Sequence, residues 1–394
     1  MKIMSNIYDY RIKSTNLYVE ATFGEYLQYA KDLIKNNDFQ RKRVKTSQTV
    51  YSLLKEDLLN GCVIPPLVLA IMSDDNTLKN MESDELQDYI KTHREKVLIL
   101  DGLQRTHTLI AAEMDALEQK KEDFYDYKLR LEVYVNINKF GVLYRMLTLN
   151  TGQTPMSLRH QLEMLYSDML DTEVNGVKLI REVEGTANAD KKEFIFKNTI
   201  DGFNSYMNRN ALPMDRQEML ENIKMLEKMS KENISGDIFK VFLEGYIKVF
   251  VILCEKSKNC FVDQDRLDEY EIKSSPFAKK VSKAFSTSQA LTGFGAAMGI
   301  MKDKGIIEDF DSLEKIVKDI EDNYIDDKEG EWFMEFLKRM DMIKVKAKKI
   351  GNAQRMYLQY FYRELFNEES DSYADLLQAV ENGYRKYDSQ VNGE

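Results

Sequence analysis

The run Asp101-Gly102-Leu103-Gln104-Arg105-Thr106-His107-Thr108 concentrates a carboxylate, an amide, a guanidinium, two hydroxyls and an imidazole in one short stretch. A permanently charged, forked Arg suits phosphate oxygens, and Gln104 could bind one or orient a water. Asp101 could hold a hydrated Mg²⁺ or tie down backbone N–H groups of the turn. Thr106 and Thr108 offer hydroxyls, and His107 an acid or base. Together they suit nucleotide phosphates and the charge that develops in phosphoryl transfer. The surroundings fit that use. Val97 to Leu100 is a short apolar run, read as a buried strand. Gly102 permits a tight turn. Leu109, Ala112 and Leu117 then open a helical spacing. At such a helix start the N–H groups lack partners and the dipole is positive, which favours an anion. Many α/β folds carry the same junction and bind nothing there, so the turn alone leaves both readings open.

Two other stretches carry polar chemistry. Gln40-Arg41-Lys42-Arg43 and Lys45 lie just before a helix expected over 46–60. Arg41 could supply a second positive charge, or make a surface salt bridge. Asn150-Thr151-Gly152-Gln153 breaks a helix with amide and hydroxyl groups that suit a sugar or base edge. The same residues also serve ordinary capping and turn chemistry.

These three stretches, in order, resemble the ParB/sulfiredoxin-like superfamily. Asp101 to Arg105 is similar to its DGQQR or DGQHR signature, in the branch that includes GmrSD-type restriction enzymes, SspE and DndB. Phe39 to Arg43 resembles the family's early "QR" segment, and Leu149 to Ser157 its later "LN-x-x-G-x-x-x-S" segment. The chain departs from the pattern at Leu103, where the family has Gln, and at Lys42, Arg43 and Lys45, where aromatic residues often follow the early Arg. The resemblance implies a nucleotide pocket. Asp101, Gln104 and Arg105 would be catalytic there. Gln40, Arg41, Gly102, Thr106, His107, Thr108, Asn150, Thr151, Gly152 and Gln153 would bind the nucleotide. The ligand would be a nucleoside triphosphate with Mg²⁺. The function implied is regulation of a partner effector in a prokaryotic or phage-related antiviral restriction-modification system, with slow nucleoside triphosphatase activity as an open question. A different class of reading is a non-catalytic DNA-binding or transcription-regulatory protein of the DndB kind, with Arg41, Lys42, Arg43 and Lys45 lining a groove. A third is an assembly subunit that self-associates or holds an effector.

Composition narrows the rest. The net charge of −10 argues against a surface coated for general DNA binding. The second basic run, Lys344 to Lys349, reads as a solvated helix end or a second basic patch. With three His in the chain and none in its C-terminal half, an HNH nuclease is not encoded. No strand-to-helix elbow presents a Ser nucleophile, no P-loop occurs, and the signature turn lacks the Cys that sulfiredoxin chemistry needs. Cys62, Cys254 and Cys260 form neither a closed disulfide set nor a zinc template. The longest apolar run, Val63 to Met72, contains two prolines and is too short to span a membrane. With no secretory signal evident, a cytoplasmic location without membrane contact is expected.

The elements that must position the turn give an α+β expectation. Residues 1–172 should form the ParB/sulfiredoxin-like domain with a small mixed sheet. Phe23, Tyr26, Leu27, Ala30 and Leu33 mark the buried stripe of an early helix. Leu67 to Ile71 reads as a buried strand entered through Pro65-Pro66, and 128–138 as a strand with one wet face. Residues 173–394 should form an all-helical domain, with helices over 194–207, 215–229, 238–254, 276–285, 313–324, 331–340, 353–366 and 373–387. Gly293 to Gly299 fails as a dinucleotide fingerprint and reads as close helix packing.

Overall fold

A computed structural model describes residues 1–36, 48–73, 82–93, 96–149, 162–163, 166, 169–170, 173–181, 193–213, 238–258, 260–323 and 330–392. The chain divides into two compact units, Met1–Leu165 and a second that begins at Tyr166.

The first unit is built on a five-stranded mixed sheet. Strands β1 (Lys2–Asp9) and β2 (Ser14–Thr22) form a hairpin, and α1 (Phe23–Asn36) follows directly. Asp9 Oδ1 accepts from Arg11 N at 2.9 Å and Ile12 N at 3.3 Å, which shapes the hairpin turn. Then come α2 (Gln48–Leu59), β3 (Leu67–Ile71), α3 (Ser83–Thr92), β4 (Val97–Asp101), α4 (Leu103–Glu118), β5 (Lys128–Val135) and α5 (Lys139–Leu149). The strand order is β1-β2-β5-β3-β4. Only β3 and β5 run parallel. That pairing needs a long crossover, which α3, β4 and α4 supply.

One face of the sheet is covered by α1 and α4. Leu67, Leu69 and Ile71 of β3 and Val97 and Ile99 of β4 bury there with Tyr26, Ala30, Leu109 and Ala112. The alternate residues Val68, Ala70, Leu98 and Leu100 are buried as well, and α5 packs on β4. β3 is therefore closed on both faces, which explains its unbroken apolar sequence. Within α4 the buried positions are Thr106, Thr108, Leu109, Ala112 and Ala116, whereas Leu117, expected on the inner stripe, faces solvent.

The second unit is helical but not all-helical. A three-stranded sheet of β6 (Glu173–Val174), β7 (Val177–Ile180) and β8 (Glu193–Ile195) precedes the helices and corrects the all-helical expectation. Strands this short show too few alternations to register as a period of two. The helices are α6 (Phe196–Asn208), α7 (Ile238–Glu255), α8 (Gln264–Glu269), α9 (Val281–Phe285), α10 (Ser288–Asp303), α11 (Ser312–Asn323), α12 (Glu331–Lys346), α13 (Ile350–Phe366) and α14 (Leu376–Asn392). The helix expected over 276–285 shrinks to α9, and the one expected over 215–229 lies outside the described residues.

Helix α10 is the centre of this unit. Its glycines let it approach neighbours at backbone distance. A Cβ at Gly295 would collide with Gly202 O and lie 2.9 Å from Tyr206 N of α6; one at Gly293 would lie 2.6 Å from Leu358 Cβ of α13. Between these two glycines Phe294 packs its ring against Phe242, Tyr246, Phe310, Tyr362 and Phe366. Arg209 locks the far end through Asp303, with Nε to Oδ2 at 3.2 Å and Nη2 to Oδ1 at 3.0 Å. The aromatic run 357–362 is helix core, with Tyr357, Leu358, Phe361 and Tyr362 buried. Overpacking a close helix seam costs roughly 1–3 kcal/mol. Gly295→Ala is therefore expected to lower the unfolding free energy of the second unit by that amount, read by urea unfolding of the full chain; an unchanged value would show that the seam is not tight.

Candidate functional site

The β4–α4 turn is shaped by one glycine. Gly102 caps α4 with φ +98°, a left-handed conformation, and makes no side-chain cap. A Cβ there would run into Leu67 Cδ2, so the position needs Gly for both backbone angle and space. The first helical hydrogen bond is Thr106 N to Gly102 O, 2.8 Å. The N–H groups of Leu103, Gln104 and Arg105 precede it and have no acceptor inside the helix.

Arg105 turns back across the turn. Its Nη2 donates to Asp101 Oδ2 at 2.6 Å, and its Nη1 to the carbonyls of Pro65 and, at 3.0 Å, Pro66. The two side chains are 18% and 28% exposed. The guanidinium thus joins the end of β4 to the segment entering β3. Asp101 meets this pair through Oδ2.

Thr106 is fully buried and links the turn to α1. Its Oγ1 donates to Gly102 O at 3.1 Å, which uses its one proton. The 2.8 Å contact with Tyr26 is therefore a bond donated by the tyrosine hydroxyl. Burial holds the Tyr26 phenol far above its ordinary pKa, only partly opposed by the Thr106 bond and the charge of Arg105; it stays a neutral donor. Thr108 Oγ1 bonds back to Gln104 O at 2.9 Å. His107 is half-buried on α4. Leu103, the departure from the family signature, is partly buried and packs on the core of the first unit.

Gln104 differs from its neighbours. Its Nε2 is buried and has no hydrogen-bond partner among the described residues. A buried amide donor left unmade costs roughly 1–3 kcal/mol.

The structure brings Asp101, Gly102, Gln104, Arg105 and Thr106 together with Tyr26, Pro65, Pro66 and Leu67, which the motif reading did not include. The only signals were local. Tyr26 sits on the apolar stripe of α1, and the double proline stands directly before a buried strand. Gln40, Arg41, Lys42, Arg43 and Lys45, and Asn150, Thr151, Gly152 and Gln153, lie outside the described residues. His93 stacks on Tyr89 at 4.2 Å and is part of a helix end. The run 344–349 ends α12: Lys344 bonds Ser275 O at 3.2 Å and Lys346 faces Asp388 at 3.7 Å, on a terminus where cations complement the helix dipole. Among the described residues no group of His, Cys, Asp and Glu could by itself hold a metal ion, and no helix is long and apolar enough to cross a membrane.

No protein-family model, curated protein or solved structure matches the chain.

Two substitutions separate the roles within the turn. Gly102→Ala combines a left-handed backbone cost of about 1–2 kcal/mol with the clash on Leu67, and is expected to lower stability by more than Tyr26→Phe. Tyr26→Phe removes one buried hydrogen bond, worth about 1 kcal/mol. Thermal denaturation of both variants checks the order; equal midpoints would show that the turn tolerates a side chain.

Proposed function

We propose that the first unit binds a nucleotide at the β4–α4 turn and that this occupancy regulates a partner effector in a prokaryotic or phage-related DNA restriction or defence system. The observation that carries the reading is Gln104: a buried, unpartnered amide beside three backbone N–H groups at a glycine-capped helix start. Donors of that kind suit phosphate oxygens. The order of the three motif segments and their likeness to the ParB/sulfiredoxin-like superfamily supports the class of ligand.

In this reading the parts are unequal. Gln104 and the turn's N–H groups meet the phosphates. Arg105, held by Asp101 and the two proline carbonyls, acts first as the residue that sets the turn. Arg41 would supply the second positive charge, and Asn150 and Gln153 the contacts to sugar or base. Mg²⁺ would arrive with the triphosphate, since Mg²⁺ commonly keeps its waters and needs only one or two carboxylates beside phosphate oxygens. Asp101 is the carboxylate available for that. Hydrolysis, if it occurs, would use Gln104 to orient the attacking water, as phosphoryl transfer rests on positioning and charge stabilisation.

The test is a thermal-shift screen with ATP, GTP, CTP and UTP, each with and without Mg²⁺, on wild type and Gln104→Ala. A ligand at a hundred times its Kd stabilises by about 2.7 kcal/mol. One nucleotide should raise the wild-type midpoint by several degrees. Gln104→Ala should lose that shift without lowering its ligand-free midpoint, because the buried amide nitrogen has no partner to forfeit. No shift with any nucleotide overturns the reading. Duplex DNA titrated at two salt concentrations would then examine the groove alternative, whose affinity should fall steeply with salt.

A further inference from the structure

Read from the sequence, Thr106 offers its hydroxyl to a ligand; in the fold that hydroxyl is spent. Thr106 and, behind it on α1, Tyr26 are both fully buried. The Thr106 proton goes to Gly102 O at 3.1 Å, and its oxygen accepts from the Tyr26 hydroxyl at 2.8 Å. Burial keeps the Tyr26 phenol protonated, so this donor persists across the ordinary pH range. Gly102 O also accepts the first helical bond, from Thr106 N at 2.8 Å. One carbonyl at the start of α4 is thus held by two donors, and the hydroxyl donor is itself held from another helix.

Fixing that carbonyl fixes a donor as well. No peptide bond among the described residues is cis, and in a planar trans unit the C=O and N–H point opposite ways. Gly102 O points into α4 toward Thr106, so the N–H of Leu103 points out of the helix start. This is one of the three N–H groups that have no acceptor inside the helix. Gly102 needs the restraint: it caps α4 with φ +98° and no side-chain cap bond, and a glycine leaves the adjoining peptide plane freer to turn than any other residue. Chained hydroxyls polarise one another, so Tyr26 strengthens the bond that Thr106 makes.

We propose that Thr106, backed by Tyr26, is a positioning residue of the phosphate site, on the reading of the β4–α4 turn as a nucleotide site. It makes no contact with the ligand; it aims the Leu103 N–H at a phosphate oxygen through the Gly102 carbonyl.

Gly102-Leu103 is the single Gly-Leu step in the chain. The full chain carrying ¹³C-carbonyl glycine and ¹⁵N-leucine therefore gives one carbonyl-to-amide NMR signal, which reports this peptide plane alone. Thr106→Val removes the hydroxyl and keeps the side chain's shape; Thr106→Ser keeps the hydroxyl. Tyr26→Phe removes the backing. Tyr29→Phe makes the same change one turn along α1, where the hydroxyl meets only Met1 Sδ at 3.5 Å. The signal is expected to move in Thr106→Val, to move less and in the same direction in Tyr26→Phe, and to hold its place in Thr106→Ser and Tyr29→Phe. ATP, GTP, CTP and UTP, each with Mg²⁺, are then titrated into wild type and variants. The nucleotide that binds wild type should bind Thr106→Val about fivefold more weakly, the weight of one hydrogen bond, and Thr106→Ser as tightly as wild type. An unmoved signal or wild-type affinity in Thr106→Val, or an equal loss in Thr106→Ser, overturns the positioning role and leaves the nucleotide site standing. Failure of all four nucleotides to bind wild type removes the site itself, and the role with it.

Discussion

The charge of Arg105 is already answered inside the fold, and the first unit depends on that. Charge-assisted hydrogen bonds are worth about 1.5–3 kcal/mol each against losing one partner. Here one guanidinium makes three, to Asp101 and to the carbonyls of Pro65 and Pro66. The proline carbonyls belong to the segment that feeds β3, the strand closed on both faces. Asp101 ends β4, and Arg105 lies in the first turn of α4. The entry of the central strand, the exit of its neighbour and the start of the packing helix are set by one side chain. Lysine could not replace it, because a single ammonium cannot present two separate nitrogens in a planar fork.

The same bonds set the electrostatics of the turn. With Arg105 paired to Asp101, the pull on an anion comes from the unpaired N–H groups and the Gln104 amide. A phosphate approaching them also meets the Asp101 carboxylate. Two arrangements resolve that repulsion: a divalent cation between phosphate and carboxylate, or a further cation brought by another segment. In the proposed pocket Mg²⁺ or Arg41 would meet that need.

The helical unit is organised by space rather than charge. Glycine in a helix interior costs about 1 kcal/mol relative to alanine, yet α10 carries Gly293, Gly295 and Gly299. Close backbone approach to α6 and α13, with Phe294 seated in a ring of aromatic side chains, offsets that cost. This is why the Gly-rich stretch was readable as packing but not as a helix: its local propensity opposes the state that its tertiary contacts impose. Strand β1 reads from sequence only as an extended segment, for a related reason. Nearly every residue of it is exposed, so its sequence carries no inside and outside to alternate.

Where period and burial coincide, sequence and structure agree: the stripe of α1, the strand 67–71, the strand before Asp101 and the helix after it. The α+β division into a sheet-bearing first part and a helical second part follows from those patterns. The location of the candidate turn was legible because glycine, aspartate and arginine types are compressed into a few positions. The allegiance of those groups was not. Arg105 is of the right type for phosphate, but its acceptors are main-chain carbonyls of residues far back in the chain, and carbonyls leave no mark in a sequence. Thr106 and Tyr26 show the same limit from the other side. Each looks like a solvent-facing helper or a core stripe when read alone, and only their shared hydrogen bond makes them the support of the helix start. What distinguishes a phosphate-binding turn from a structural one is which donors remain unanswered after folding, and in this turn that residue is Gln104.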